Sequence, residues 1–141
     1  MLRKFACLAA VLVTMAGFSF AADDDESPTG KLMEKINNAN KPIQKATRNA
    51  SEYAKGASKI PDSVTEIVKL AKEARDLKEP AEHVKKPLAE YQKSMDEMIK
   101  AAEDLSKLVA KAGTKQQAAK EAYNTYYKTC TACHDVFKKD E

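Results

Sequence analysis

The sequence contains no tryptophan, only three cysteines and only two histidines. Cys7 lies in the apolar N-terminal run, which leaves Cys130 and Cys133 as the cysteines of a folded domain. A structural zinc site takes four ligands, and beyond these two thiols and the adjoining His134 the folded part offers only His83, far away in the sequence. The sequence also lacks an internal repeat and a low-complexity tract. Candidate chemistry is therefore concentrated in one short stretch near the C-terminus.

The first 21 residues have the pattern of a secretory signal peptide. Arg3 and Lys4 precede a short apolar core, and small residues favour cleavage between Ala21 and Ala22. The sequence thus predicts export to the periplasm, with no stable membrane insertion after cleavage. Because the apolar run over residues 5–22 approaches the lower length limit for a membrane-spanning helix, an uncleaved anchor is the alternative.

The exported chain carries almost no net charge. The whole sequence has a formal net charge of +3, and loss of Arg3 and Lys4 with the signal peptide brings it to +1. Such a balance gives no support for a nucleic-acid partner. Four acidic residues at 23–26 make up half of a short leader, residues 22–29, which we expect to be flexible and solvated. The folded domain is predicted over residues 30–141.

The rest of the sequence has the composition of an all-α protein. Alanine, lysine and glutamate are abundant, while the whole chain has five prolines and four glycines. Glycine and proline fall mostly between apolar-periodic segments, which predicts helices at about 30–55, 62–78, 81 or 87–111, and 115–138. Only Pro42 lies inside a segment, and we expect a kink there.

The third segment has the clearest core-facing stripe. Its apolar residues recur at alternating steps of three and four: Val84, Leu88, Tyr91, Met95, Met98, Ala102, Leu105 and Val109. The first segment offers a comparable face: Met33, Ile36, Asn40, Ile43 and Thr47. Because short connections make successive helices antiparallel neighbours, we predict an all-α, antiparallel up-down-up-down four-helix bundle.

The segment Cys130-Thr131-Ala132-Cys133-His134 is a Cys-X-X-Cys-His motif. Residues three and four apart lie on one face of a helix, so both thiols and the imidazole would meet one flat macrocycle. The motif is typical of covalent haem attachment, in which the thiols form thioethers and the histidine binds iron. The alternatives are a disulfide, a thioredoxin-like redox pair and half of a zinc site. A disulfide leaves His134 unexplained, and no strand pattern of the kind that a thioredoxin-like site needs lies nearby.

With this motif near the C-terminus of an exported four-helix chain, the sequence resembles the class II c-type cytochromes, the cytochrome c-prime group. The resemblance implies one haem c, attached to Cys130 and Cys133, with His134 as the proximal iron ligand. In that family a basic residue four positions after the histidine often lies near the haem edge, and Lys138 matches that position. The resemblance implies no catalysis. It implies periplasmic redox proteins as partners, and it allows a homodimer through the first two helices.

The function depends on the sixth position of the iron, for which Met33 is the candidate. The stretch Leu32-Met33-Glu34-Lys35-Ile36-Asn37 resembles the first helix of the soluble periplasmic b-type four-helix cytochrome. In that protein a methionine at the place of Met33 binds iron. Antiparallel packing also brings the start of the first helix beside the end of the fourth, at the level of His134. We therefore predict His134/Met33 ligation and one-electron transfer.

Other occupants of this position stay open. A small rotation of the first helix would turn Leu32 toward the iron and give an open, high-spin site that binds nitric oxide or carbon monoxide. Met95 is a weaker rival, since its regular place in the third stripe favours a core role, as it does for Met98. His83, close to a predicted loop, is expected to be solvated rather than a second axial histidine. The tyrosines before the motif are expected to line the pocket or contact neighbouring helices: Tyr123, Tyr126 and Tyr127.

Overall fold

The computed structural model describes residues 27–138. The predicted signal peptide and most of the acidic leader lie outside the described residues, as do residues 139–141. Within the described range the helices are α1 (Pro28–Thr47), α2 (Ala50–Gly56), α3 (Ile60–Arg75), α4 (Glu79–His83), α5 (Leu88–Val109) and α6 (Gln116–Phe137). A turn of 3₁₀ helix over Ala57–Lys59 joins α2 to α3.

The long helices α1, α3, α5 and α6 form the antiparallel up-down-up-down bundle that the sequence predicted. Helix α1 packs against α3 and α6, and α5 packs against the same two helices. The stripe of α5 faces the core, where its central members are buried: Tyr91, Met95, Met98, Ala102 and Leu105. Helix α1 adds the buried residues Ile36, Ile43, Ala46 and Thr47. None of the helices in the described range is long and apolar enough to cross a membrane.

The prediction of one helix over residues 30–55 is wrong, because the chain breaks at Arg48 and Asn49. Asn49 is extended, with φ −154° and ψ 170°. Its side chain accepts a hydrogen bond from the Glu52 backbone N–H at 2.9 Å. An asparagine that caps the next helix in this way competes with continuation of the previous one. Helix α1 itself continues through Pro42.

In the third region α5 agrees with the later of the two predicted starts, and a separate short helix, α4, precedes it. Val84, expected in the stripe, lies between them and is half-buried. Lys85 has a positive φ of 55°. The Lys86 N–H donates to the Ala81 carbonyl at 2.9 Å, which closes the turn. Pro87 then directly precedes the first residue of α5. A proline, and the residue before it, both disfavour continuation of a helix, which is consistent with the break between α4 and α5.

The α3–α5 connection covers one end of the bundle. Within it, α4 packs against α5 and α6. The Thr29 hydroxyl donates to Glu79 Oε2 at 3.1 Å and ties the start of α1 to α4. The Tyr91 hydroxyl donates to the Ala74 carbonyl at 3.1 Å and ties α5 to the end of α3. These contacts bring α1, α4, α5 and α6 together around the same end.

Candidate functional site

The covered end of the bundle contains a cavity of about 330 Å³, here called the main cavity. Its walls come from the start of α1, from α4, from Tyr91 on α5 and from the last turns of α6. A smaller cavity of about 160 Å³ lies between α1, α5 and α6. Met33, Cys133 and His134 line both cavities. The two spaces therefore meet at the residues that the sequence singled out for iron and haem.

Helix α6 presents the haem-attachment motif to these cavities. Cys130 lines the smaller cavity and is half-buried, whereas Cys133 is buried and lines both. The two thiols are free in this structure. Burial raises the pKa of Cys133 to about 11, and burial likewise raises the pKa of Cys130. Both thiols are thus neutral at pH 7.

His134 is one residue further along the same face. Partial burial of the ring and the charge of Lys138 lower its pKa, against an opposing effect of Asp135. The neutral imidazole is consequently favoured, and this is the form that binds a metal. Helix α6 ends three residues later at Phe137, where the Lys138 N–H donates to the His134 carbonyl at 3.0 Å. Lys138 is exposed and lines the main cavity.

Helix α1 supplies the opposite wall. The Ser27 hydroxyl caps this helix by accepting from the Gly30 N–H at 2.9 Å, which fixes where the helix begins. Met33 follows one turn later, is half-buried and lines both cavities. Leu32, its rival, packs against the core and lines neither cavity. Of these two rivals, Met33 is therefore the one that shares a cavity with His134.

The other candidates have different environments. Met95 and Met98 are buried on α5 and line the smaller cavity but not the main one. His83 is exposed, in agreement with the prediction that it is solvated. It also lines the main cavity, which the sequence did not indicate. No pattern in the sequence showed that α4 would fold over this end of the bundle.

Aromatic rings form much of the remaining wall. Tyr91 and Phe137 meet edge to face at a centroid distance of 5.4 Å in the main cavity. Tyr126 and Tyr127 line the smaller cavity, and Tyr123 packs behind both at 6.1 Å. The prediction that these tyrosines line the pocket is thus confirmed for Tyr126 and Tyr127. Tyr123 contacts the neighbouring helix α1 instead, through its hydrogen bond with Asn40.

Asn40 is a polar residue of the smaller cavity to which the sequence assigned only a core position. Its Nδ2 donates to the Tyr123 hydroxyl at 3.2 Å. Its Oδ1 is buried and has no hydrogen-bond partner among the described residues. An unpaired buried acceptor costs free energy, and helical periodicity gave no indication of it.

The residues present fit a haem. Two thiols and an imidazole share one face of α6, as thioether attachment and iron ligation require. A flexible thioether lies across the cavity on α1, and aromatic rings surround them. Within residues 27–138, no group of three or more His, Cys, Asp and Glu side chains could hold a bare metal ion. The zinc alternative therefore finds no ligand set in the described part of the chain.

Comparison with known proteins agrees with this fit. A protein-family model described as Cytochrome C' matches residues 28–138. The matched segment includes the four bundle helices, Met33 and the complete Cys-X-X-Cys-His motif. No curated protein and no solved structure matches the chain.

Proposed function

Because the chain belongs to the cytochrome c′ family over residues 28–138, we propose that it is a c-type cytochrome that carries one electron at a haem held between His134 and Met33. The family consists of c-type haem proteins that carry electrons or bind gases, and not generally of catalysts. The observation that carries the finer assignment is the position of Met33. Its side chain lines both of the cavities that His134 lines.

Each residue of the site has a defined role in this proposal. Cys130 and Cys133 form the two thioether bonds to a single haem c, and His134 binds the iron from α6. Met33 provides the sulfur on the α1 side. The haem supplies the redox chemistry, and the protein supplies orientation and a largely apolar environment. Lys138 lies at the cavity mouth, where its charge faces the edge of the bound group.

Ligation by two protein side chains favours electron transfer over gas binding. An iron that keeps the same two axial ligands in both oxidation states changes little in structure, which keeps the reorganisation on electron transfer small. Thioether ligation also raises the reduction potential relative to two nitrogen ligands. An iron with both positions filled has no free position for a diatomic gas.

A five-coordinate centre that binds nitric oxide or carbon monoxide is the competing function. Membership of the cytochrome c′ family fits it equally well. The two functions differ in whether the reduced protein takes up carbon monoxide readily.

The test compares absorption spectra of the dithionite-reduced, haem-loaded protein before and after carbon monoxide is added. We expect a sharp low-spin spectrum that the gas leaves essentially unchanged. Met33→Leu should become high-spin and bind carbon monoxide. Met95→Leu and Met98→Leu are the matched controls, because both methionines line the smaller cavity, and they should behave like the wild type. Ready carbon monoxide binding by the wild type would make gas binding the function.

Covalent attachment and export are tested separately. After expression with haem-maturation machinery, haem should migrate with the chain on a denaturing gel. The Cys130→Ser/Cys133→Ser variant should lose it. Haem that leaves the wild-type chain on denaturation would contradict thioether attachment. We further propose that the mature protein is periplasmic and exchanges electrons with periplasmic redox proteins. A mature N-terminus at Ala22 in the periplasmic fraction would support export.

A further inference from the structure

The two cavities differ in the charge of their walls. Among the described residues, those that line the smaller cavity include no aspartate, glutamate, lysine or arginine. The main cavity is lined by Glu79 and Lys138, and also by the imidazole of His83. All three side chains are exposed, so they surround the mouth of this cavity. The site is therefore polar at one side and uncharged at the other.

The polar side has two unpaired cationic or potentially cationic groups. Its one carboxylate, Glu79, accepts a hydrogen bond from the Thr29 hydroxyl. The side chains of His83 and Lys138 make no hydrogen bond and no ion pair with another described residue. The mouth thus offers an anionic group two hydrogen-bond donors, one of which is cationic and the other potentially cationic.

Haem c has a matching asymmetry. Its thioethers form on one edge of the macrocycle, and two propionate carboxylates project from the opposite edge. Cys130 lines only the smaller, uncharged cavity, so attachment there would direct the carboxylate edge away from it and toward the mouth of the main cavity. Carboxylates taken out of bulk water are stabilised by charged hydrogen-bond donors.

We propose that His83 is a haem-positioning residue, whose imidazole, together with the Lys138 ammonium, binds the haem carboxylates at the mouth of the main cavity. This inference rests on the proposed attachment of haem at Cys130 and Cys133. It gives His83 a role at the edge of the haem, which is distinct from axial ligation. It also gives α4 a function, because this short helix ends at His83.

A histidine beside the haem carboxylates links electron uptake to proton uptake. When a bound haem takes up one electron, the His83 imidazole would take up one proton from solvent and become imidazolium. The added positive charge stabilises the reduced haem, so the reduction potential falls as pH rises and the proton is lost. One proton per electron sets the upper limit of this slope at about 59 mV per pH unit.

Other charged and titratable groups line the main cavity together with His83. Glu79 lies on the same helix, Tyr91 on α5, and His134 and Lys138 on α6. The part of α1 that lines the main cavity contributes no charged side chain. Burial and nearby Glu79 both raise the pKa of Tyr91, so this hydroxyl stays neutral over the pH range of interest. Variants that change the charge of His83 alone separate its contribution to the pH dependence of the reduction potential from the contributions of these other groups.

The experiment measures the reduction potential of the haem-loaded protein between about pH 5 and 8.5. We compare the wild type with His83→Gln, which removes the charge, and with His83→Lys, which makes it permanent. Glu82→Gln is the matched control, because Glu82 is an exposed neighbour on α4 that does not line the cavity. The absorption spectrum of each variant checks that the axial ligands are unchanged.

We expect the wild-type and Glu82→Gln potentials to fall with rising pH. The His83→Gln potential should stay near the alkaline level of the wild type, and that of His83→Lys near its acidic level. A wild-type slope retained in His83→Gln would overturn the inference, since the proton would then reside on the haem carboxylates or another group. A wild-type potential independent of pH would overturn it as well. Reversible one-electron reduction of the wild type would still support the proposed function in either case.

Discussion

The hydrogen-bonded pair Asn40–Tyr123 gives a quantitative test of how the smaller cavity is built. Tyr123 is buried, and its hydroxyl accepts from Asn40 Nδ2 at 3.2 Å, while Asn40 Oδ1 has no partner among the described residues. Tyr123→Phe removes the hydrogen bond and leaves the whole amide without a partner, which should cost about 1–3 kcal/mol. Asn40→Leu removes the unpaired acceptor but leaves the Tyr123 hydroxyl without its partner, so it should cost less than Tyr123→Phe.

The double variant Asn40→Leu/Tyr123→Phe removes both partners and should be at least as stable as the wild type. The change in unfolding free energy of the double variant should then differ from the sum of the two single changes by about 1–3 kcal/mol, as expected for residues in contact. Urea unfolding of the haem-loaded protein, followed by circular dichroism, measures the four free energies. Additivity within about 0.5 kcal/mol would refute the reasoning. A double variant as unstable as Tyr123→Phe would refute it too.

Three further predictions concern stability. Burial raises the pKa of the three core tyrosines, Tyr91, Tyr123 and Tyr126. Their contribution is therefore complete below pH ~10 and is lost as pH rises, by at most about 1.4 kcal/mol per pH unit for each. Urea midpoints at pH 9 and 11 should show a smaller loss for Tyr126→Phe than for Tyr127→Phe, whose parent residue is exposed. Asp96→Asn breaks a two-point ion pair with Arg75, at 2.6 and 3.0 Å, that joins α5 to α3. Because both side chains are partly exposed, the loss should be small and should shrink in high salt. Gly113→Ala meets no neighbouring atom but keeps a φ of +78°, so it should cost roughly 1–2 kcal/mol in the same assay.

The sequence predicted the bundle because its signals are periodic and local. The stripe of α5 repeats at the helical period, so its core residues could be named in advance. Antiparallel order then placed the start of α1 beside the end of α6, and Met33 and His134 indeed line the same cavities. The motif on α6 indicated haem because the positions of its three donors are determined by the helix itself.

The features that escaped prediction depend on single side chains or on contacts distant in sequence. Asn49 ends α1 through one capping hydrogen bond, with neither glycine nor proline beside it. Helix α4 packs against α5 and α6 and contacts the start of α1 through Thr29 and Glu79, fifty residues apart, and no sequence periodicity indicates these contacts. His83 lies at the cavity mouth because the connection between α3 and α5, which contains α4, folds over this end of the bundle. Sequence reasoning could therefore place it near a loop but could not bring it to the site.

The central claim is that the iron lies between His134 and Met33. X-ray absorption at the iron edge of the haem-loaded protein counts sulfur atoms bound directly to the metal. We predict one sulfur ligand in the wild type, retained in Met95→Leu and lost in Met33→Leu. An iron bound only by nitrogen atoms in the wild type, or a sulfur ligand that survives Met33→Leu, would contradict the account.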